Sequence, residues 1–388
     1  LDIVLRDLAL LYKSRLGMGA SPSPLPVQYA DFALWQRGWL QGEVLERQLS
    51  YWRNQLSGAP QTLPLPTDRP RPAVQDYSGG NVPVRFGAEL STAIRTLAQR
   101  EGATVFMVLL AAYQTLLARW SGQWDLSVGT PVANRRDAQL EGLVGFFANT
   151  LVMRSQMSPE MRFVDHLSAV RARVLEAFAH QDLPFEKLVE EIAPDRDLSR
   201  HPIFQAMLTL QGAAEVAEMP KIEGLRIAPE PVKGTWAKFD QTLFVTDDAG
   251  ELSGRLEYAT ALFDQSTAER MVASFIEILT EVVANPECDL GGVSIISQEK
   301  QEYLKALSRG PNLTVQADGL RVEALFEQVA AGDPAAIALR CGELECDYGL
   351  LLSKTSALAA RLNRQGIGQG DVVGVLMTRG IEMPEALL

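Results

Sequence analysis

Four short stretches of this 388-residue chain carry side chains able to bind, orient or move protons. The first is Tyr29-Ala30-Asp31-Phe32-Ala33-Leu34-Trp35-Gln36, and the second is Val144-Gly145-Phe146-Phe147-Ala148-Asn149-Thr150-Leu151-Val152-Met153-Arg154. The third is His180-Gln181-Asp182-Leu183-Pro184-Phe185-Glu186, and the fourth is Arg196-Asp197-Leu198-Ser199-Arg200-His201-Pro202-Ile203. An imidazole exchanges protons near neutral pH, so His180 is a candidate general base. It is one of three separated histidines, with His166 and His201, and has no adjacent partner of the kind such catalysis uses. His166, midway along an amphipathic pattern, reads as structural.

Each stretch also has a plain structural explanation. A tryptophan at helical spacing, such as Trp35, is expected in a core. Asn149 can end a turn. His180 stands where a helix ends, favourable for a cationic imidazole, and Pro184 and Glu186 suit the first turn of the next helix. Asp197 and Arg200 can form a surface ion pair of little energetic weight.

The elements that position these stretches follow from periodicity. Helices are expected at 1–16 and 29–56, separated by a Ser/Pro loop. Five prolines between 60 and 72 fix φ and remove donors, so this segment is extended. Strands are expected at 82–86, 126–132, 150–156, 204–210, 242–246 and 253–258, the last two joined by a hairpin containing Asp248-Ala249-Gly250. Helices are expected at 91–100 with a Ser91 cap, at 104–120 (apolar all round, hence buried), at 163–179 and at 266–283. Residues 285–318 read as a linker. A new unit follows, with a helix at 322–330, strands on either side of Gly342-Glu343, a helix at 350–365 and a strand at 372–377.

Hydrophobic residues make up 47% and charged residues 22%, the balance of a chain with a substantial core. No apolar run is long enough to span a bilayer, and no secretory signal is visible, so no membrane partner is expected. A net charge of −12 disfavours nucleic acid as a partner. Cys288, Cys341 and Cys346 form no CxxC pair and no metal-ligand spacing, which fits a cytoplasmic location. Leu1 falls inside a helical pattern and Leu388 inside an apolar segment, so both ends read as cuts.

Together, in order and spacing, the four stretches resemble the fourth to seventh motifs of nonribosomal peptide synthetase condensation domains. That family shows Tyr-x-Asp-Tyr-Ala-x-Trp, Gly-x-Phe-x-Asn-Thr ending in Arg, His-Gln-Asp-x-Pro-Phe-Glu, and Arg-Asp-x-Ser-Arg-x-Pro. Phe32 replaces the second Tyr and His201 fills the last variable position. Thr130-Pro131-Val132-Ala133-Asn134-Arg135 resembles a further loop beneath the family's tunnel. The resemblance implies motif positions at Tyr29, Asp31, Trp35, Asn149, Arg154, His180, Gln181, Asp182, Pro184, Phe185, Arg196, Asp197 and Arg200. Of these, Asn149, His180, Gln181 and Asp182 would lie near the interface of two lobes. The family's His-His-x-x-x-Asp-Gly motif does not occur here and is expected ahead of Leu1. No catalytic residue is therefore assigned within the chain, and the chain alone is expected to form no peptide bonds.

The final stretch resembles the start of an adenylation (AMP-binding) domain. Its matches are Ala335-Ala336-Ile337-Ala338-Leu339, Leu358-Ala359-Ala360-Arg361-Leu362, and Gly370-Asp371-Val372-Val373-Gly374-Val375. Asp347 and Leu350 depart from that family's Leu-Thr-Tyr-x-Glu-Leu.

The fold class implied is α/β: the second lobe of a chloramphenicol-acetyltransferase-like condensation fold, then the first elements of an adenylate-forming domain. The boundaries expected are a first-lobe remnant at 1–60, a proline-rich crossover at 61–82, the second lobe at 83–298, a linker at 299–318 and the truncated adenylation start at 319–388. The implied partners are donor and acceptor peptidyl carrier domains bearing 4′-phosphopantetheine. ATP and Mg would serve only a complete adenylation domain. An epimerisation domain and a non-catalytic carrier-recruitment domain share the fold and stay open. Exposed apolar surface left by a missing half-interface implies marginal stability.

Overall fold

The computed structural model describes residues 2–192, 197–212, 225, 235–248, 250–309 and 321–388. Arg196, the hairpin residue Ala249 and positions 310–318 of the expected linker lie outside the described residues. The chain divides into two compact units, Leu1–Glu302 and Tyr303–Leu388.

The first unit opens with α1 (Asp2–Arg15), α2 (Tyr29–Trp39) and α3 (Gly42–Leu56). The single helix expected over 29–56 is broken because Gly42 adopts a φ of +54°, a left-handed conformation open to glycine. The proline-rich stretch is extended, as its prolines require, and leads into β1 (Ser78–Arg85).

There follow α4 (Gly87–Arg100), α5 (Val105–Ser121), β2 (Asp125–Val132), α6 (Ala138–Glu141), β3 (Asn149–Gln156), α7 (Phe163–Ala179) and α8 (Phe185–Ile192). Then come β4 (Ala206–Gly212), β5 (Thr235–Trp236), β6 (Gln241–Asp248), β7 (Glu251–Ala259) and α9 (Gln265–Ala284). Among the described residues, seven strands form one mixed sheet in the order β3-β2-β4-β6-β7-β1-β5. β2, β4 and β6 run parallel, and the other pairs are antiparallel.

α5 packs against α4, α7 and α9 and over β2 and β4, and is buried on every side from Met107 to Ala118. Thr104 caps it through the backbone N–H of Met107. Each large aliphatic side chain so buried contributes about 1.5–3 kcal/mol. Ser91 is not the expected cap of α4. It sits inside the helix, bonds back to Gly87 O at 2.6 Å and accepts Leu252 N at 2.9 Å, which fixes α4 to β7.

Strand alternation divides the sheet into two faces. Val82, Val84, Leu252 and Leu256 are buried on the core side, whereas Asn81, Arg85, Ser253 and Arg255 on the other side are exposed. The expected linker begins inside this core: Leu290 and Val293 are buried, and α10 (Gln298–Ser308) then forms across the unit boundary.

The second unit holds α11 (Val322–Gly332), the β8 (Ile337–Cys341)–β9 (Leu344–Asp347) hairpin, α12 (Tyr348–Arg364) and α13 (Glu382–Leu387). The turn uses Gly342 at φ +61°. Asp347 caps α12 by accepting Leu350 N at 2.7 Å, which explains why a carboxylate stands there. Residues 372–377 form no strand: Val372 is 98% exposed and no neighbouring strand pairs with them among the described residues. β-branched composition alone cannot make a strand without a ladder partner.

Candidate functional site

Three of the four motifs are joined to one another by hydrogen bonds or ion pairs. Tyr29, at the start of α2, donates its hydroxyl to Phe146 O at 2.9 Å and meets the Phe147 ring edge-on at 5.1 Å. Gly145 must be glycine, because a Cβ there would overlap the Tyr29 ring. Asp31 holds the helix start by accepting Gln28 N at 2.8 Å. Trp35 is not a core residue: it is 55% exposed and stacks on Trp39 with 5.2 Å between centroids.

Asn149, at the start of β3, uses both ends of its carboxamide. Nδ2 donates to Gln181 O at 2.8 Å and Leu183 O at 2.7 Å, and Oδ1 accepts Thr150 N at 2.9 Å and Phe185 N at 3.0 Å. This clamps the His180 loop to the sheet and supplies a partner for the first N–H of α8. Gln181 folds back to Phe178 O at 2.8 Å, and Asp182 pairs with Arg136 at 3.1 Å. Pro184 O accepts Leu188 N at 3.2 Å, as the start of α8 requires.

His180 closes α7. Its Nδ1 lies 2.9 Å from Glu176 O, and its carbonyl accepts the Trp52 indole N–H at 3.0 Å. A carbonyl only accepts, so Nδ1 carries the proton and Nε2 presents a lone pair in the neutral ring. Tyr51 stacks on the imidazole. Burial pushes the Tyr51 phenol up to about 12, and its hydroxyl has no hydrogen-bond partner among the described residues. Neither Tyr51 nor Trp52 stands out as a site residue in the sequence. Their only signal is the apolar period of α3.

Arg154 is buried and fully engaged. It grips Asp125 at 2.9 and 2.7 Å and donates to Gln55 O and Ser57 O at the C-terminal end of α3. Hydrogen bonding to Asp125 raises its pKa above the ordinary arginine value. In the fourth motif Asp197 accepts Ser199 N at 2.8 Å and pairs with Arg200 at 2.7 Å. The bonds from Ser199 hold the Asp197 carboxyl below the usual range. Ile203 takes a φ of +71°, which is strained for a β-branched residue. This turn delivers Phe204 onto the sheet, where its ring fills the space a Cβ on Gly129 would occupy. Phe185, His201, Phe204 and Phe239 form one aromatic cluster, which joins the third motif to the fourth, and burial lowers the His201 pKa.

His166 is wholly buried, depressed to about 4 by desolvation, and structural. The arrangement therefore positions loops and presents His180 beside them. It contains no nucleophile–base pair and, among the described residues, no cluster able to hold a metal ion. Nor does any single described helix have the length and apolarity to cross a membrane.

The crossover is held to this site by residues the sequence does not flag. Arg71 forms a bidentate pair with buried Asp240 and donates to Ser199 O at 3.3 Å. Gln205 accepts Leu63 N at 2.8 Å and donates to Gln61 O at 3.0 Å.

The model of the Condensation domain family matches residues 1–305. A linear gramicidin synthase polypeptide of Brevibacillus parabrevis is 41% identical over 100% of this chain, which spans 8% of that protein. Phosphinothricin tripeptide synthetase PhsC of Streptomyces viridochromogenes is 38% identical over 97% of the chain, which spans 35% of it. Among solved structures, the X-domain from teicoplanin biosynthesis is 31% identical with a TM-score of 0.71, covering 76% of this chain and 68% of that one. The four-domain nonribosomal peptide synthetase AB3403 is 25% identical with a TM-score of 0.72, covering 98% of this chain and 30% of that one. With the motif loops chained as described and this family model spanning the first unit, the chain belongs to the condensation-domain family of the nonribosomal peptide synthetases.

Proposed function

We propose that residues 1–298 are part of an amide-forming condensation domain, with a first-lobe remnant at 1–60 and the second lobe at 83–298, and that residues 319–388 begin an adenylation domain. In this reading a carrier-bound amine attacks a carrier-bound thioester, each presented on a 4′-phosphopantetheine arm. The amine must lose a proton and the oxyanion must be stabilised where water is scarce. His-His-x-x-x-Asp-Gly is absent from these residues, so they position rather than perform that step.

The observation that carries the reading is the clamp of Asn149 on the His180 loop, which fixes the motif loops beside one another. Similarity to peptide synthetases across the whole chain supports the adenylation part. A complete adenylation domain would use ATP and Mg. No glycine-rich phosphate cradle occurs here, so no step through ATP is assigned. The partners in this reading are donor and acceptor carrier domains in the cytoplasm.

A second reading, carrier or enzyme recruitment without chemistry, is favoured by the likeness to the teicoplanin X-domain, solved also in complex with OxyB. The test is an assay of the parent module with both carrier domains loaded. Dipeptidyl-thioester formation supports condensation. Carrier binding without product supports recruitment.

A further inference from the structure

The motif loops cover one part of the sheet face turned away from the helix layer. A single cross-strand row runs along that face from Gly129 through Met207 and Thr242 to Glu257 and Asn81. Directly paired residues share a face. Gly129 lies under the Phe204 ring of the aromatic cluster, and Glu257 lies three strands away, about 14 Å at ordinary strand spacing.

Glu257 is half-buried, and its carboxylate has no hydrogen bond or ion pair among the described residues. The cation two residues away on its own face, Arg255, sits over the Phe244 ring at 4.0 Å instead of pairing with it. Arg255 and, more weakly, Lys238 contribute to its field without a contact of ion-pair length. Asn81 and Thr242, its neighbours in the row, add no charge. An unpaired carboxylate on the same sheet face as the positioned loops is suited to a primary ammonium ion, which brings both a charge and donors.

We propose that Glu257 receives the ammonium group of the acceptor aminoacyl substrate and so selects amine-bearing arms over acyl ones. This rests on the condensation reading. Glu257 binds and orients; it makes no bond.

The test is an NMR titration of this chain with a hydrolysis-stable glycyl-aminopantetheine and with its acetyl counterpart, which lacks the amine. The amine compound is expected to bind about tenfold more tightly, as one charge-assisted contact provides. Glu257→Gln is expected to abolish that preference and leave acetyl binding unchanged, with Glu257→Asp retaining part of it. Equal binding of both compounds to the unaltered chain overturns the assignment and leaves the condensation reading standing. Binding of neither compound overturns the assignment too, and the condensation reading is then decided separately by the loaded-module assay.

Discussion

The imidazole of His180 lies flat on the phenol of Tyr51, with 4.0 Å between ring centroids and 7° between planes. Together with the contact from Nδ1 to Glu176 O, this fixes both the plane and the tautomer of the ring. We expect 15N chemical shifts of His180 to report Nδ1–H and an unprotonated Nε2 at high pH. Tyr51→Phe removes a buried hydroxyl without a partner and should leave stability unchanged or raise it slightly. Tyr51→Ala should broaden the His180 ring signals. Unaltered His180 signals in that variant would show that the stack does not hold the ring.

Asn149→Ala removes four hydrogen bonds at once and strands Phe185 N at the start of α8. A loss of about 2–4 kcal/mol is expected by urea unfolding. Faster hydrogen exchange confined to 180–188 should accompany it. Asn149→Asp should also destabilise, because a carboxylate cannot donate to the two carbonyls.

Burial depresses His166 to about 4, below the ordinary value of 6.5. The unfolded chain therefore binds the extra proton first, and stability falls as pH drops from about 6.5 towards 4, by at most about 1.4 kcal/mol per unit. The carboxyls held low, Asp68, Asp76 and Asp197, act in the same direction but at lower pH. His201, also lowered by burial, acts over the same range, so His166→Leu should reduce, and not abolish, the difference between urea midpoints at pH 5 and 7.5.

Gly129→Ala should cost about 1–3 kcal/mol, since its Cβ would overlap the ring of Phe204. The second change Phe204→Leu should recover part of the loss. Additive effects of the two in thermal unfolding would disprove the contact.

Desolvation raises the Cys288 thiol to about 11, whereas Cys341 is exposed. Iodoacetamide at pH 7.5 should label Cys341 first and Cys288 slowly, as peptide mass spectrometry would show.

Helices with a full apolar period are legible in the sequence: the pattern over 163–179 matches α7, and the all-round apolar run is the buried α5. Periodicity carries that information locally. What it cannot give are pairings between distant polar residues. Nothing in the local sequence distinguishes Arg71, partly buried against Asp240, from Arg69 nearby, whose side chain is half-exposed. The motif residues are found by type and order, yet the hydrogen bonds assign most of them to holding loops. Trp35 departs from its expected core position because helical period reports one apolar side and not whether that side is covered. Residues 372–377 depart for a related reason: composition suits a strand, but a strand exists only with a neighbour.

The crossover's partners have a consequence for biosynthesis. Asp68 and Arg69 are anchored by Leu262 O, Asp264 and Thr267, the Arg69–Asp264 pair being 195 positions apart. At ~5–20 residues per second, the crossover leaves the ribosome on the order of 10–40 s before those anchors exist. Its prolines keep it extended during that wait, and its charges keep it hydrated. The crossover thus emerges early but is secured last, by side chains closing over a lobe that has already collapsed, whereas α3 finds its partners sooner, in Arg154 and His180. A ribosome stalled soon after 212 would hold β4 without β6, its neighbour in the sheet, and leave Arg71 without Asp240.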